Sequence, residues 1–501
     1  MSRPADTAAG PPRTRSRTAL PVALVVAAAG AARLAYLLSP VVQFNADEAT
    51  TGIMVRRILA GHGYVFYAGQ DYGGALEQYL EAAMYAVLRL PQNALTLRLP
   101  LVVLCMATAA LVYVVGRDVL GDPARALVAA ALYAVSPWFN IIGPVTSLGF
   151  YAAGQTLTIA ALWCALRASR GPRWLLATGL VAGLGVWTAV TALYVLIPVL
   201  GWLLPVLGRD LRRWAAIAGG FVLGAAPLFG ALAVHRTLPV PSTPAEQTTV
   251  WQRVGNLFGP ILRQYAGVTY SHADGGLWLP VQIAVVAGLV AAYGVALARR
   301  RGLADFLRAD RRRPGDLLLA VPPVVVVLWA ASDATWYTGT PRYLAGTYQL
   351  LAIGLAALVP VRRWAVPVAV VAICAVLSYG FYPGIAGSTA ARDRALREVT
   401  TVLAGEGHRD VYAGYWTAMP LQYVAGDRLV VATAGGLARF PAAQREVEQA
   451  ASPVYVGSDA DGTTAAFRAA LDRRHIPYRA RMFAFLTVFD RLPGNVNPAG
   501  L

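Results

Sequence analysis

Lysine is missing from this chain altogether, so every basic residue is an arginine. A formal charge of +17 would suit nucleic acid if the arginines formed one continuous stripe. Instead they fall in short clusters between apolar runs, where a membrane protein meets its cytoplasm, and the charge is read as topology. Charged residues of either sign are scarce, at 14% against 57% hydrophobic, and the apolar residues come in long blocks rather than at amphipathic spacing. That excludes an ordinary soluble domain and puts the blocks in lipid. Cysteine numbers three, Cys105, Cys164 and Cys374, each inside an apolar run. None is left for an extracytoplasmic disulfide or a metal site, and packing is their expected role.

Arg13, Arg15 and Arg17 precede an apolar stretch from Ala19 to Leu38, long enough at about 20 residues to cross a bilayer and read as an uncleaved anchor. Further apolar spans run approximately over 97–116, 124–141, 150–167, 174–190, 191–207, 214–233, 278–298, 315–331, 342–360 and 364–382, which makes about eleven crossings. The arginine clusters test the count: the N-terminus, Arg117 with Arg125, Arg167 to Arg173, Arg209 to Arg213, Arg299 to Arg313, and Arg362 with Arg363 all alternate inward. An odd number of spans sends the tail outside. The stretch from Trp174 to Pro205 is divided in two because parity and length require it.

Three segments stay outside the membrane, at about 40–96, 234–277 and from 383 onward. In the tail, Val411 to Tyr415, Leu429 to Thr433, Val454 to Gly457 and Phe483 to Phe489 read as strands, with helical patterns near Ala442 to Ala451 and Thr463 to Arg474. This alternation favours a small βαβ-like sheet. No phosphate-binding glycine pattern accompanies it.

The first outer segment carries the acidic residues. It runs Asn45-Ala46-Asp47-Glu48, then an apolar-patterned helix with Arg56 and Arg57 that stops at Gly61, then a tyrosine-rich turn, then Asp71-Tyr72-Gly73-Gly74-Ala75-Leu76-Glu77 and a second helix. The first helix is expected to lie at the membrane interface, with Ile53, Val55, Ile58 and Leu59 as its apolar residues. Asn45 and Glu48 also have the spacing of a capping box, and Asp47 in the first turn suits the helix dipole, which accounts for the acidic pair without any chemistry. Capping and catalysis are compatible, because a carboxylate fixed at a helix start is fixed in direction.

The Asn-Ala-Asp-Glu opening, its helix, and the later Gln-Asp-Tyr-Gly-Gly-Ala-Leu-Glu at 70–77 resemble the first periplasmic loop of the GT-C glycosyltransferases. Within that group the resemblance is to the branch of the protein O-mannosyltransferases and the lipid A aminoarabinose transferase. Pro341-Arg342-Tyr343-Leu344 is similar to the branch's Arg-Tyr-Leu element. Where aminoarabinose transferases often carry Lys-Pro, this chain has Tyr72-Gly73. The expected fold class is therefore an all-α polytopic membrane domain, GT-C-like, of about eleven transmembrane helices, with a small C-terminal α/β extracytoplasmic domain. Its parts are a basic cytoplasmic tail (1–18), the transmembrane domain (19–382) with the acidic loop at 40–96, and the outer domain (383–501).

The resemblance implies transfer of a hexosyl or pentosyl unit from a polyprenyl-phosphate donor to an acceptor hydroxyl, with inversion, on the outer face of the cytoplasmic membrane. The acceptor is a protein, lipid, polysaccharide or natural product; membrane lipid is a partner and nucleic acid is not. An alcohol needs a positioned base, whereas a phosphate leaving group needs charge stabilisation. Asp47 stands at the family's catalytic aspartate. Arg342 with Tyr343 is the first candidate for the donor phosphate, or else an interfacial anchor, and Arg56 and Arg57 come second. Glu48, Asp71 and Glu77 are supporting acids. Asp47, Glu48 and Asp71 offer hard oxygens to a divalent cation (magnesium, manganese, calcium or zinc), a metal-free site remains open, and no organic cofactor is expected. Asn140, Ser147, Tyr151 and Gln155 at outer span ends, and His235, Arg263, Tyr265, Tyr270, His272 and Asp274 in the middle loop, are further candidates for an acceptor path.

A transporter or flippase is the rival class. It calls for ionisable residues at mid-membrane depth and inverted repeats, whereas the spans are almost free of charge and show no internal repeat. A non-catalytic receptor whose tail binds a partner would leave the acidic loop without a role.

Overall fold

The computed structural model describes residues 19–39, 44–146, 148–235, 248–269, 277–300, 315–332, 341–380 and 386–498. The chain begins with α1 (Ala19–Leu38), α2 (Ala46–Leu59), α3 (Leu76–Leu88), α4 (Ala94–Leu120), α5 (Pro123–Ala134), α6 (Trp138–Ile142) and α7 (Tyr151–Ala165). Each expected apolar span contains a helix, and the divided stretch at 174–205 breaks at a short 3-10 turn, Val190–Ala192. By length and composition, three helices among the described residues are apolar enough to cross a membrane: Ala19–Leu38, Ala94–Leu120 and Val190–Leu207. The number reaches five when two bent pairs count as single spans, and shorter apolar helices such as Leu279–Val295 and Leu317–Ala331 accompany them.

The sharper bend has a local cause. Pro137 interrupts the run between α5 and α6, which turns by 86°, and a proline lacks the N–H that would continue the helix. Fully buried Arg33 of α1 donates to the backbone carbonyls of Ala29 at 3.0 Å and, near the break, Asn140 at 3.4 Å, with its guanidinium over the Tyr133 ring. It serves carbonyls that helix geometry leaves short of partners. Two other helices, Pro172–Thr188 and Leu211–Gly224, pack through Gly179 with Gly183 and Gly220 with Gly224. A Cβ on any of these four would run into the facing backbone. Small residues four apart on both helices are the membrane solution for close backbone contact.

The C-terminal part holds a five-stranded sheet of β1 (Asp410–Ala413), β2 (Val430–Thr433), β3 (Val454–Ser458), β4 (Arg479–Phe483) and β5 (Leu486–Asp490), in the order β2-β1-β3-β5-β4. The first three strands are parallel and the last two form an antiparallel hairpin. Phe483 to Phe489, read as one strand, thus turns back at Ala484, whose φ is 53°. The helices Ala386–Gly405 and Tyr415–Ala425 were not expected from the sequence.

Apolar residues of α2 are covered by protein. Ala46, Ala49, Ile53, Met54 and Val55 share one buried core with Leu396, Val399, Val411, Ala418 and Met419 of the C-terminal part. The helix is clasped between protein surfaces because its apolar residues are covered by the sheet side, and Gly52 admits the Tyr423 ring where any Cβ would collide with it.

Candidate functional site

The start of α2 separates its two acids into different environments. Asn45 caps the helix, and the capping box is complete: the Asn45 side chain accepts from the Glu48 N–H at 3.0 Å while Glu48 Oε2 accepts from the Asn45 N–H at 3.3 Å. Glu48 is fully buried and takes a two-pronged guanidinium from Arg98 of α4, Nε to Oε1 at 2.6 Å and Nη2 to Oε2 at 2.8 Å. Burial pushes the Glu48 carboxyl up while Arg98 pulls it back. Both of its oxygens are occupied.

Asp47 is held by one oxygen. Its Oδ1 accepts from the Tyr415 hydroxyl at 2.6 Å and from Arg439 Nη2 at 3.1 Å, and no described residue donates to Oδ2. The side chain keeps 14% of its surface exposed. Tyr67, whose hydroxyl donates to the Asp47 carbonyl at 2.6 Å, lies with its ring beneath the Arg439 guanidinium. Burial first, and Asp47 next, push the Tyr415 phenol well up, against the opposing charge of Arg439, so it stays a neutral donor.

Arg342 and Tyr343 share the Asp47 environment. The Tyr72 phenol, raised chiefly by burial, lies within electrostatic reach of Tyr343, Arg342, Arg439 and Asp47. Tyr151, at the start of α7, is within reach of Arg342, Tyr343, Tyr72 and Asp47. Arg342 Nη2 donates to the Tyr343 hydroxyl at 3.3 Å, and its charge stacks over that ring. Tyr72 and Tyr151 are thus each within electrostatic reach of both Asp47 and Arg342.

Other residues singled out in the sequence lie elsewhere. Arg56 stacks on the Tyr423 ring and donates to its carbonyl at 2.7 Å, and Arg57 stacks on Phe440, so both fasten α2 to the C-terminal part. Asp71 is exposed. Glu77 is buried and caps α7, accepting from the Ala153 N–H at 2.7 Å. Asn140 and Gln155 bond to each other at 2.7 Å in a buried network that includes Tyr133. Tyr265 bonds to Thr347 and Arg263 to Gln282. Ser147, Tyr270, His272 and Asp274 lie outside the described residues, as does the side chain of His235.

The donor set at Asp47, Glu48 and Asp71 does not fit a divalent cation as it stands: Arg98 takes both Glu48 oxygens, and Asp71 is not grouped with the other two. The described residues hold one carboxylate and imidazole cluster, Glu406, His408 and Asp490, with ligand atoms within 4.8 Å of one another. Its carboxylate oxygens accept from Arg481 and Arg479 at 2.6 to 2.8 Å. A cation there would have to displace two guanidinium groups.

Tyr415 and Arg439 escaped the sequence reading. They follow β1 and β2 at the carboxyl ends of parallel strands, where α/β sheets carry their functional loops, but no local motif marks them and they lie more than 360 residues from Asp47.

The architecture is the GT-C glycosyltransferase fold. It is similar to ArnT from Cupriavidus metallidurans in the apo state, with a TM-score of 0.61 and 13% identity over 96% of this chain and 98% of that one. ArnT bound to undecaprenyl phosphate gives 0.56 and 15% over 95% and 97%. The oligosaccharyltransferase AglB from Archaeoglobus fulgidus, in complex with an inhibitory peptide and a dolichol-phosphate, gives 0.52 and 13% over 95% and 74%. Residues 77–234 match the family described as dolichyl-phosphate-mannose-protein mannosyltransferase. No curated protein matches the sequence.

Proposed function

We propose that this protein transfers a hexosyl or pentosyl unit from a polyprenyl-phosphate carrier to an acceptor hydroxyl, with inversion, at the outer face of the cytoplasmic membrane. The arrangement of Asp47 carries the reading: one oxygen is pinned and the other accepts no hydrogen bond from a described residue, in an environment shared with Arg342. Oδ2 takes the acceptor proton as the acceptor oxygen bonds to the anomeric carbon. The bond from that carbon to the phosphate oxygen breaks, its electron pair leaves with the phosphate, and Arg342 stabilises the charge that develops there. The neighbours solved in complex with undecaprenyl phosphate and with a dolichol-phosphate support a lipid-phosphate partner. The arginine clusters support an N-terminus inside and the sheet outside.

The test is turnover by purified protein of a panel of polyprenyl-phosphate sugars, read as release of free polyprenyl phosphate. Wild type is expected to consume at least one donor, and Asp47→Asn to lose roughly 10²- to 10⁴-fold in rate. A folded Asp47→Asn protein working at the wild-type rate would refute the assignment.

A further inference from the structure

Two neighbouring carboxylates on one helix are gripped by arginine in different ways. Arg98 engages both Glu48 oxygens in a fork, the geometry of a structural ion pair. Arg439 and Tyr415 converge on a single oxygen of Asp47. A contact built only to dock the C-terminal part would be expected to fork in the same way, since leaving one oxygen of a partly buried carboxylate without a partner is costly.

Most of the Arg439 guanidinium is turned to this contact. Nε and Nη2 donate to the Tyr415 hydroxyl at 2.9 and 2.7 Å, Nη1 to the Ala68 carbonyl at 3.2 Å, and Nη2 also to Asp47, with only 6% of the side chain exposed. Four of its five N–H groups are committed in this way, three of them to Tyr415 and Asp47. The loop facing it is shaped for the approach: Gly69 has φ of 69°, and a Cβ there would stand 2.8 Å from the Arg439 Cα.

We infer that Tyr415 and Arg439 are positioning residues for Asp47. They hold the carboxylate by Oδ1 so that Oδ2 is presented to the acceptor hydroxyl, which makes the C-terminal sheet a part of the active site. This rests on the reading of Asp47 as the base. Tyr415 supplies the shorter bond, and Arg439 orients Tyr415 and closes the triangle.

The experiment uses the full-length protein in detergent with whichever polyprenyl-phosphate sugar the wild type consumes. Tyr415→Phe keeps the ring and removes the hydroxyl. It is expected to lower kcat roughly 10- to 100-fold, as misdirected catalytic groups do, with the donor KM and the melting temperature unchanged. Arg439→Lys should retain more activity than Arg439→Ala, and Tyr415→Phe combined with Arg439→Ala should be no slower than Arg439→Ala alone, because both act through one oxygen. Wild-type kcat in Tyr415→Phe overturns the inference, as does a loss that tracks the melting temperature or losses that multiply in the double variant. A wild type that consumes no donor removes the underlying reading and this one with it, a result distinct from an active wild type with unaffected variants.

Discussion

Arg98 reaches from α4 into the capping box of α2 and closes a fork on Glu48 with both partners buried, at 2.6 and 2.8 Å. The pair ties the helix bearing Asp47 to α4, which is long and apolar enough to cross a membrane. A buried ion pair contributes little net stability over an apolar pair of the same volume, but removing one partner strands the other. Arg98→Met is therefore expected to destabilise the protein by about 3–5 kcal/mol, seen as a large fall in melting temperature in detergent. The double variant Glu48→Gln with Arg98→Met should recover part of that fall. An unchanged melting temperature in Arg98→Met would show that the fork holds nothing in place.

Glu77 makes a pH-dependent prediction. Burial pushes its carboxyl up to about 8, against the Ala153 and Ala152 backbone N–H groups that favour the anion. An acid whose pKa is higher folded than unfolded binds a proton in the native state that the unfolded chain has already lost, so stability falls as pH rises from about 4.5 to about 8 and is flat above. The shift corresponds to a loss on the order of 5 kcal/mol. Glu77→Gln imitates the neutral acid. It is expected to melt with the wild type near pH 5 and well above it at pH 8.5, and parallel melting curves across that range would contradict the buried-acid account.

Much of this site could be read locally, and the rest could not. Asn45 with Glu48 was legible as a capping box because both partners lie within four residues, and the box is complete in the structure. That Glu48 is structural while Asp47 keeps an oxygen unengaged depends on Arg98, Tyr415 and Arg439, which only the tertiary fold delivers. Arg56 and Arg57 looked like phosphate ligands because nothing nearby in sequence announces Tyr423 and Phe440. In the tail, the helix Tyr415–Ala425 was missed with Pro420 in its middle, and the β4–β5 hairpin because Ala484 turns it without a glycine or asparagine signal.

Gly52 sits mid-helix in α2, where alanine would ordinarily be favoured by about 1 kcal/mol. Here its added methyl would collide with the Tyr423 ring, which packs against Phe44 and lies under Arg56. Overpacking costs typically ~1–3 kcal/mol, so Gly52→Ala should destabilise rather than stabilise. If the two surfaces part as a result, limited proteolysis should cut in the Ala386–Gly405 region faster than in wild type. Equal or greater thermal stability with unchanged cleavage would mean that Tyr423 moves aside freely.

Arg342 separates donor binding from chemistry. A charge-assisted hydrogen bond to a phosphate is worth about 1.5–3 kcal/mol, so Arg342→Ala should weaken inhibition by free polyprenyl phosphate by roughly 10- to 100-fold. Arg342→Lys should recover only part of the loss, because a point charge does not reproduce the planar fork. Asp47→Asn should leave the same inhibitor affinity near wild type when binding is followed directly, since the carboxylate is assigned to the acceptor proton and not to the phosphate. An Arg342→Ala protein that binds polyprenyl phosphate as tightly as wild type would move Arg342 from the donor site to a role as an interfacial anchor. Asp47 and Tyr415 would then face a phosphate held by groups other than Arg342.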